Sequence, residues 1–131
     1  MREATIIAVE AEIRRAIENK QPIVVLEYAK YPATHERLLR LLEGYDKFVI
    51  ETKRDDDGST EVIEACLFNS YSGEAFRVCG VNALGCVKAT VLGIADKLDE
   101  SKIDVVKAAC NDDWKPGQWS SFPRRNNIRL V

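Results

Sequence analysis

A chain of 131 residues with 46% hydrophobic and 31% charged residues has the size and make-up of one soluble globular domain, far from the composition of disordered chains. Nineteen basic against twenty-one acidic side chains leave a net charge of -2, which gives no electrostatic footprint for nucleic acid or an anionic membrane. The longest apolar stretches are short, and the start carries Glu3, Glu10, Glu12, Arg14, Arg15 and Glu18; neither a transmembrane span nor a signal peptide is read, and the cytoplasm is the expected location.

In chain order, Ile6, Val9, Ile13 and Ile17 recur at spacings of three and four with charges between them, which predicts a helix over residues 3–19 with one apolar stripe. Ile7 falls off that stripe. Pro22–Tyr28 is a short β-branched run and predicts a buried strand. Thr34 is the expected cap of a second helix with Leu38, Leu39, Leu41 and Leu42 on its apolar face, stopped by Gly44. A strand is expected at Lys47–Thr52, then a helix capped by Asp57 or Ser59 and carrying Val62, Ile63, Cys66 and Leu67. Ala75–Val81 predicts a third strand, the spacing of Val87, Val91, Leu92, Ile94, Ala95 and Leu98 a fourth helix, and Ile103–Val106 a last strand.

Helices and strands thus alternate with short connections, which implies a three-layer α-β-α sandwich around a mainly parallel, Rossmann-like sheet, as a single domain over residues 1–131. The segment 111–131 differs in kind: Trp114, Pro116, Gly117, Trp119, Pro123, Arg124 and Arg125 forbid a regular helix, and Asn127–Val131 is expected as an edge strand.

Four cysteines, Cys66, Cys79, Cys86 and Cys110, include no CxxC pair and have a single histidine, His35, to help them. That argues against a zinc site and a disulfide scaffold, and makes small apolar packing the default for three of the thiols. Ligands of parallel α/β sheets bind outside the carboxyl ends of the strands. Lys53, just past the second strand, and Cys86, at the start of the helix after the third, belong to that rim. A thiol at a helix N-terminus feels unpaired N–H groups and the positive end of the macrodipole, and a nearby ammonium adds to this; both favour the thiolate. Cys86 is the candidate nucleophile. Taken alone, Lys53 reads as a solvated strand-end lysine.

The segment Val78-Cys79-Gly80-Val81-Asn82-Ala83-Leu84-Gly85-Cys86-Val87-Lys88-Ala89-Thr90 resembles the nucleophile segment of the isochorismatase-like cysteine hydrolases, which include nicotinamidases and N-carbamoylsarcosine amidases: an apolar strand ending in Gly-Val, a short turn, then Cys-Val-x-x-Thr opening a helix. Pro22–Tyr28 is similar to the family's second strand, and Lys53 stands where its catalytic lysine follows the third. The resemblance implies that Cys86 attacks the carbonyl carbon of a small amide or carbamoyl compound while Lys53 stabilises the thiolate. It also implies a cis peptide joining Val81 to Asn82, which aims the backbone N–H of Asn82, with that of Cys86, at the oxyanion. A small-molecule substrate, no cofactor and a self-associating chain belong to the same set of expectations.

Two departures accompany the match. Family members begin with a central strand ending in the aspartate that takes the thiol proton, whereas this chain begins with the helix that should follow, so the domain reads as N-terminally truncated. Taking Thr5–Val9 as that strand with Glu10 as the acid leaves only about ten residues for the crossover, near the minimum for a βαβ unit. Glu27 and Asp55 are the other candidate replacement acids. Nor is there a nicotinamidase-type metal site, which needs an Asp and two His; His35 is the sole histidine.

Three readings therefore stay open: a metal-independent cysteine amidohydrolase, an inert relative serving as a binding or regulatory module, and an N-terminally incomplete fragment. Without an assigned base, low turnover is expected. Removing the central strand would also leave the strands at Pro22–Tyr28 and Ala75–Val81 facing a gap. Its possible fillings are Thr5–Val9, Asn127–Val131, a strand from another chain, or direct pairing of the flanking strands, the last two being favoured.

Overall fold

The apolar stripe of the first segment folds as helix α1, Glu3–Glu18, with Ile6 and Val9 buried and Ile7 pointing out. This is the first element of a computed structural model that describes residues 2–110 and 118–131. Strand β1, Ile23–Tyr28, follows, then α2, Glu36–Leu41, and β2, Phe48–Lys53. Helix α3, Ser59–Phe68, leads to β3, Ala75–Gly80; a single π turn, Ala83–Val87, opens helix α4, Lys88–Lys97. Strand β4 spans Lys102–Cys110, and after a 3-10 turn at Gln118–Ser121 the chain closes with β5, Ile128–Leu130.

All strand pairs are parallel: β1 with β2, β3 with β4, and β4 with β5. Helices cover both faces, because alternate residues of β4 feed two apolar clusters. Ile103 and Val105 join Val62 and Cys66 of α3 and Val91, Ile94 and Ala95 of α4. Val106 and Ala109 join Ile6 and Val9 of α1 and Leu38 of α2 on the other side. Phe122 from the tail closes the first cluster, its ring 5.6 Å from that of Trp119. The expected α/β architecture of parallel strands between helices is what forms.

Several local expectations need correction. Thr34 does not cap α2: its N–H donates to Glu27 at 2.9 Å, and the cap is His35, whose Nδ1 accepts from Arg37 N–H at 3.2 Å. β4 runs four residues past Val106, since Ala109 and Cys110 find a buried place beside β3, with a register shift between Val78 and Gly80. The tail strand does form, as an edge strand on the far side of β4. Trp114, Pro116 and Gly117 lie outside the described residues.

The strands make two separate ladders, β1-β2 and β3-β4-β5. Three of the four proposed fillings of the space beside β1 and β3 are thereby overturned among the described residues. Thr5–Val9 is helical, β5 pairs with β4 instead, and β1 and β3 do not pair with each other. In β1, Ile23 N–H donates to Lys47 C=O and Ala29 N–H to Lys53 C=O. By the alternation of a parallel ladder, the backbone groups of Val24 and Leu26 therefore turn away from β2. The bond from Lys102 N–H to Glu74 C=O likewise turns those of Arg77 and Cys79 away from β4.

Candidate active site

The carboxyl ends of β1, β2 and β3 deliver Tyr28, Lys53 and the turn after Gly80 to one rim. Lys53 is not the solvated lysine that its position suggests: only 4% of it is exposed. Its Nζ donates to the carbonyl oxygens of Asp55 and Asp56, both at 2.8 Å, and lies 4.2 Å from the centroid of the Tyr28 ring. A buried ammonium needs such partners, because an unpaired charge away from water is very costly. Two carbonyl dipoles and an aromatic face supply them.

The loop from Arg54 to Gly58 thus folds back over the lysine that precedes it. Gly58 makes this approach possible, as a Cβ there would stand 2.7 Å from Leu26 Cδ1 and 2.8 Å from Lys53 Cδ. From the other side Thr90 of α4 ties the loop down, its hydroxyl accepting from Gly58 N–H at 2.9 Å and donating to Asp56 C=O at 3.3 Å. Asp57 Oδ1 accepts from Ser59 N–H at 2.8 Å and so serves the first turn of α3.

Cys86 lies in the π turn between β3 and α4 and is partly exposed. The peptide bond joining Val81 to Asn82 is cis, and Asn82 C=O accepts from the N–H groups of both Gly85 and Val87, at 3.1 and 3.2 Å. Gly85 has a non-helical backbone inside the turn. The thiol of Cys86 meets a carboxylate: its Sγ is 3.9 Å from Oδ1 of Asp56. The same carboxylate acts on the Tyr28 phenol from close by. Burial first, and the neighbouring Asp56 carboxylate second, push the Tyr28 phenol above its ordinary value.

The three acids singled out from the sequence are placed differently. Glu10 of α1 binds Arg37 of α2 at 2.7 Å. Glu27 accepts from Thr34 N–H, which holds its carboxyl below the usual value. Asp55 contributes its carbonyl to Lys53. Asp56 and Tyr28 are the site residues that sequence reasoning missed. Asp56 carried a weak signal, as one of three consecutive aspartates after the rim lysine; Tyr28 carried only its place at a strand end.

Of the other thiols, Cys66 and Cys110 are buried and Cys79 is half-buried. Burial raises Cys66, and burial followed by the neighbouring Cys110 and Glu12 pushes Cys79 up to about 12. The residues present do not fit a nicotinamidase-type metal: the single histidine uses its Nδ1 as a helix cap, and the described residues hold no group of three or more His, Cys, Asp or Glu arranged for an ion. No helix among the described residues is long and apolar enough to cross a membrane.

No family model and no curated protein matches the sequence. Solved structures do match. The nicotinamidase from Staphylococcus aureus superposes with a TM-score of 0.80 at 13% identity over 98% of this chain and 84% of that one. The N-carbamoylsarcosine amidase from Thermoplasma acidophilum superposes with a TM-score of 0.74 at 15% identity, over 97% and 81%. The nicotinamidase/pyrazinamidase from Bacillus subtilis gives 0.77 at 13%, over 98% and 84%. This chain has the fold of these amidases. At such identity the likeness concerns architecture, so the chemistry has to be argued from the rim itself.

Proposed function

We propose that this chain is a cysteine hydrolase acting on the C–N bond of a small amide or carbamoyl compound, with the Cys86 thiolate as nucleophile. The observation that carries this reading is the placement of Cys86 at the turn into α4 with a carboxylate 3.9 Å from its sulfur, on the rim where parallel sheets bind ligands. Amide and carbamoyl substrates are what the names of the superposable enzymes, nicotinamidase and N-carbamoylsarcosine amidase, indicate for those proteins.

In this reading the sulfur attacks the carbonyl carbon, and the negative charge that develops on oxygen is met by the N–H groups of Asn82 and Cys86. Each such donor is typically worth about 10²–10³-fold in rate. Lys53, at the same rim, is read as the ammonium that offsets the negative charge developing in the reaction. The substrate is a small molecule, the chemistry uses no resident metal or cofactor, and the chain self-associates.

Ammonia release from nicotinamide and from N-carbamoylsarcosine, compared between the wild type and Cys86→Ala, tests the assignment. Release by the wild type and none by the variant is the expected result; equal release by both would remove Cys86 from the mechanism. An inert binding module is the second reading. It draws on Lys53, whose ammonium is committed to the carbonyls of Asp55 and Asp56. That reading expects saturable binding of such amides with no ammonia.

A further inference from the structure

We propose that Asp56 is the proton acceptor and donor for Cys86, so that the acid of the reaction comes from the loop after β2 and Tyr28 is its positioning residue. This rests on the reading of Cys86 as nucleophile. The contact itself, 3.9 Å from Sγ to Oδ1, is within hydrogen-bonding range for sulfur. What makes it a built arrangement is the way the main chain of Asp56 is held. Its carbonyl accepts from Lys53 Nζ at 2.8 Å and from Thr90 Oγ1 at 3.3 Å. Lys53 and Thr90 are each 4% exposed, so these anchors are shielded from competing water. With its backbone fixed from two sides, the carboxylate has few directions available, and the Tyr28 phenol stands close enough to act on it electrostatically.

The arrangement is also economical in sequence. Thr90 lies four residues after Cys86, so the helix start that presents the nucleophile also carries the hydroxyl that anchors the acid.

The proton inventory closes. The Cys86 S–H proton passes to Asp56 as the sulfur attacks; the C–S bond forms and the carbonyl π pair moves to oxygen. Collapse reforms C=O and breaks C–N, the nitrogen leaving with the proton from the Asp56 carboxyl. Water then attacks the thioester and loses a proton to Asp56. Collapse breaks C–S, and the thiol regains that proton. One amide and one water become a carboxylic acid and an amine or ammonia.

The test uses Asp56→Asn, Asp56→Glu and Tyr28→Phe in the full chain, reading two quantities: iodoacetamide alkylation of Cys86 against pH, and ammonia release from the amide that the wild type turns over. The ionisable groups against the thiol are Asp56 from the loop and Tyr28 from β1, with Lys53 of β2 behind the Tyr28 ring. A carboxylate beside a thiol disfavours the thiolate. Removing its charge in Asp56→Asn is therefore expected to move the alkylation midpoint to lower pH. Hydrolysis is expected to fall by about 10²–10⁴-fold through loss of the proton carrier. Asp56→Glu should recover part of the hydrolysis, and Tyr28→Phe should lose about 10-fold or less with a folded chain, as fits a residue acting through another.

A merely structural Asp56 would lower alkylation and hydrolysis together, and that result overturns the proposal. So does an alkylation profile identical in wild type and Asp56→Asn. If the wild type releases no ammonia from any amide, the amidase reading fails, while the shift of the alkylation midpoint still decides whether Asp56 shares the thiol proton. Should Asp56→Asn not fold, the same two readouts on Tyr28→Phe decide: an unchanged profile with unchanged hydrolysis overturns the proposal.

Discussion

Thr90 and Gly58 are joined by a buried hydrogen bond of 2.9 Å between residues 32 apart in sequence, hydroxyl oxygen accepting from backbone N–H. It links the helix that carries Cys86 to the loop that carries Asp56, and it makes the site depend on the packing of α3 and α4 rather than on either segment alone. Replacing Thr90 by the isosteric Val would leave Gly58 N–H buried without its partner. Such a group costs about 1–3 kcal/mol. Thr90→Val should therefore lower the midpoint of urea unfolding by a corresponding amount and, on the proposed chemistry, slow amide hydrolysis; unchanged stability would show that water replaces the hydroxyl.

Gly93 sets how closely α4 approaches the start of α3. A Cβ at this position would collide with Ser59 Oγ and stand 2.5 and 2.7 Å from the two Asp57 carboxylate oxygens. Gly93→Ala normally gains helix propensity, but here overpacking of about 1–3 kcal/mol should outweigh it. A lowered melting temperature is expected, and a raised one would mean that the α3 start yields easily.

The two ladders make a statement about backbone exchange. The N–H groups of Val24, Leu26, Arg77 and Cys79 turn away from β2 and β4, whereas those of Val25 and Val78 point into a ladder. Amide hydrogen exchange should be faster at the first four than at the latter two. Equal protection would reveal an additional strand pairing there in solution, the one filling of that space which the described residues leave open.

Glu12 accepts from Arg77 at 2.8 and 3.0 Å, joining α1 to β3. The Arg77 hydrogen bond, opposed by burial and aided by Arg15, holds its carboxyl below the usual value. A depressed carboxyl contributes stability that is present above its unfolded value, about 4.3, and is lost as pH falls through the lower folded value. Stability should therefore decline more steeply on acidification in the wild type than in Glu12→Gln, as read from urea midpoints at a series of pH values between neutral and about 3. Parallel curves would mean that solvent screens the pair.

Much of this protein was legible from local pattern. The spacing of Ile6 and Val9, and the β-branched runs before Tyr28 and Lys53, place α1, β1 and β2 within a residue or so of their observed bounds, because periodicity and β-branching act over a few neighbours. The candidate nucleophile was legible for a related reason: a strand end, a short turn and a helix start around Cys86 are consecutive in sequence. The extension of β4 to Cys110 was not, since Lys107, Ala108 and Ala109 have little strand preference and are held by neighbours. Lys53 read as solvated because nothing adjacent to it announces the Tyr28 ring or the carbonyls that receive its ammonium. Among Asp55, Asp56 and Asp57, composition alone cannot choose. The choice lies in the path of one loop, which Gly58 allows to press against Leu26 and Lys53 and which Thr90, far along the chain, holds in place. Elements follow from short-range sterics and hydrophobic spacing, whereas the identity of the carboxylate facing a thiol is set by long-range hydrogen bonds that exist only once the helices and strands have packed.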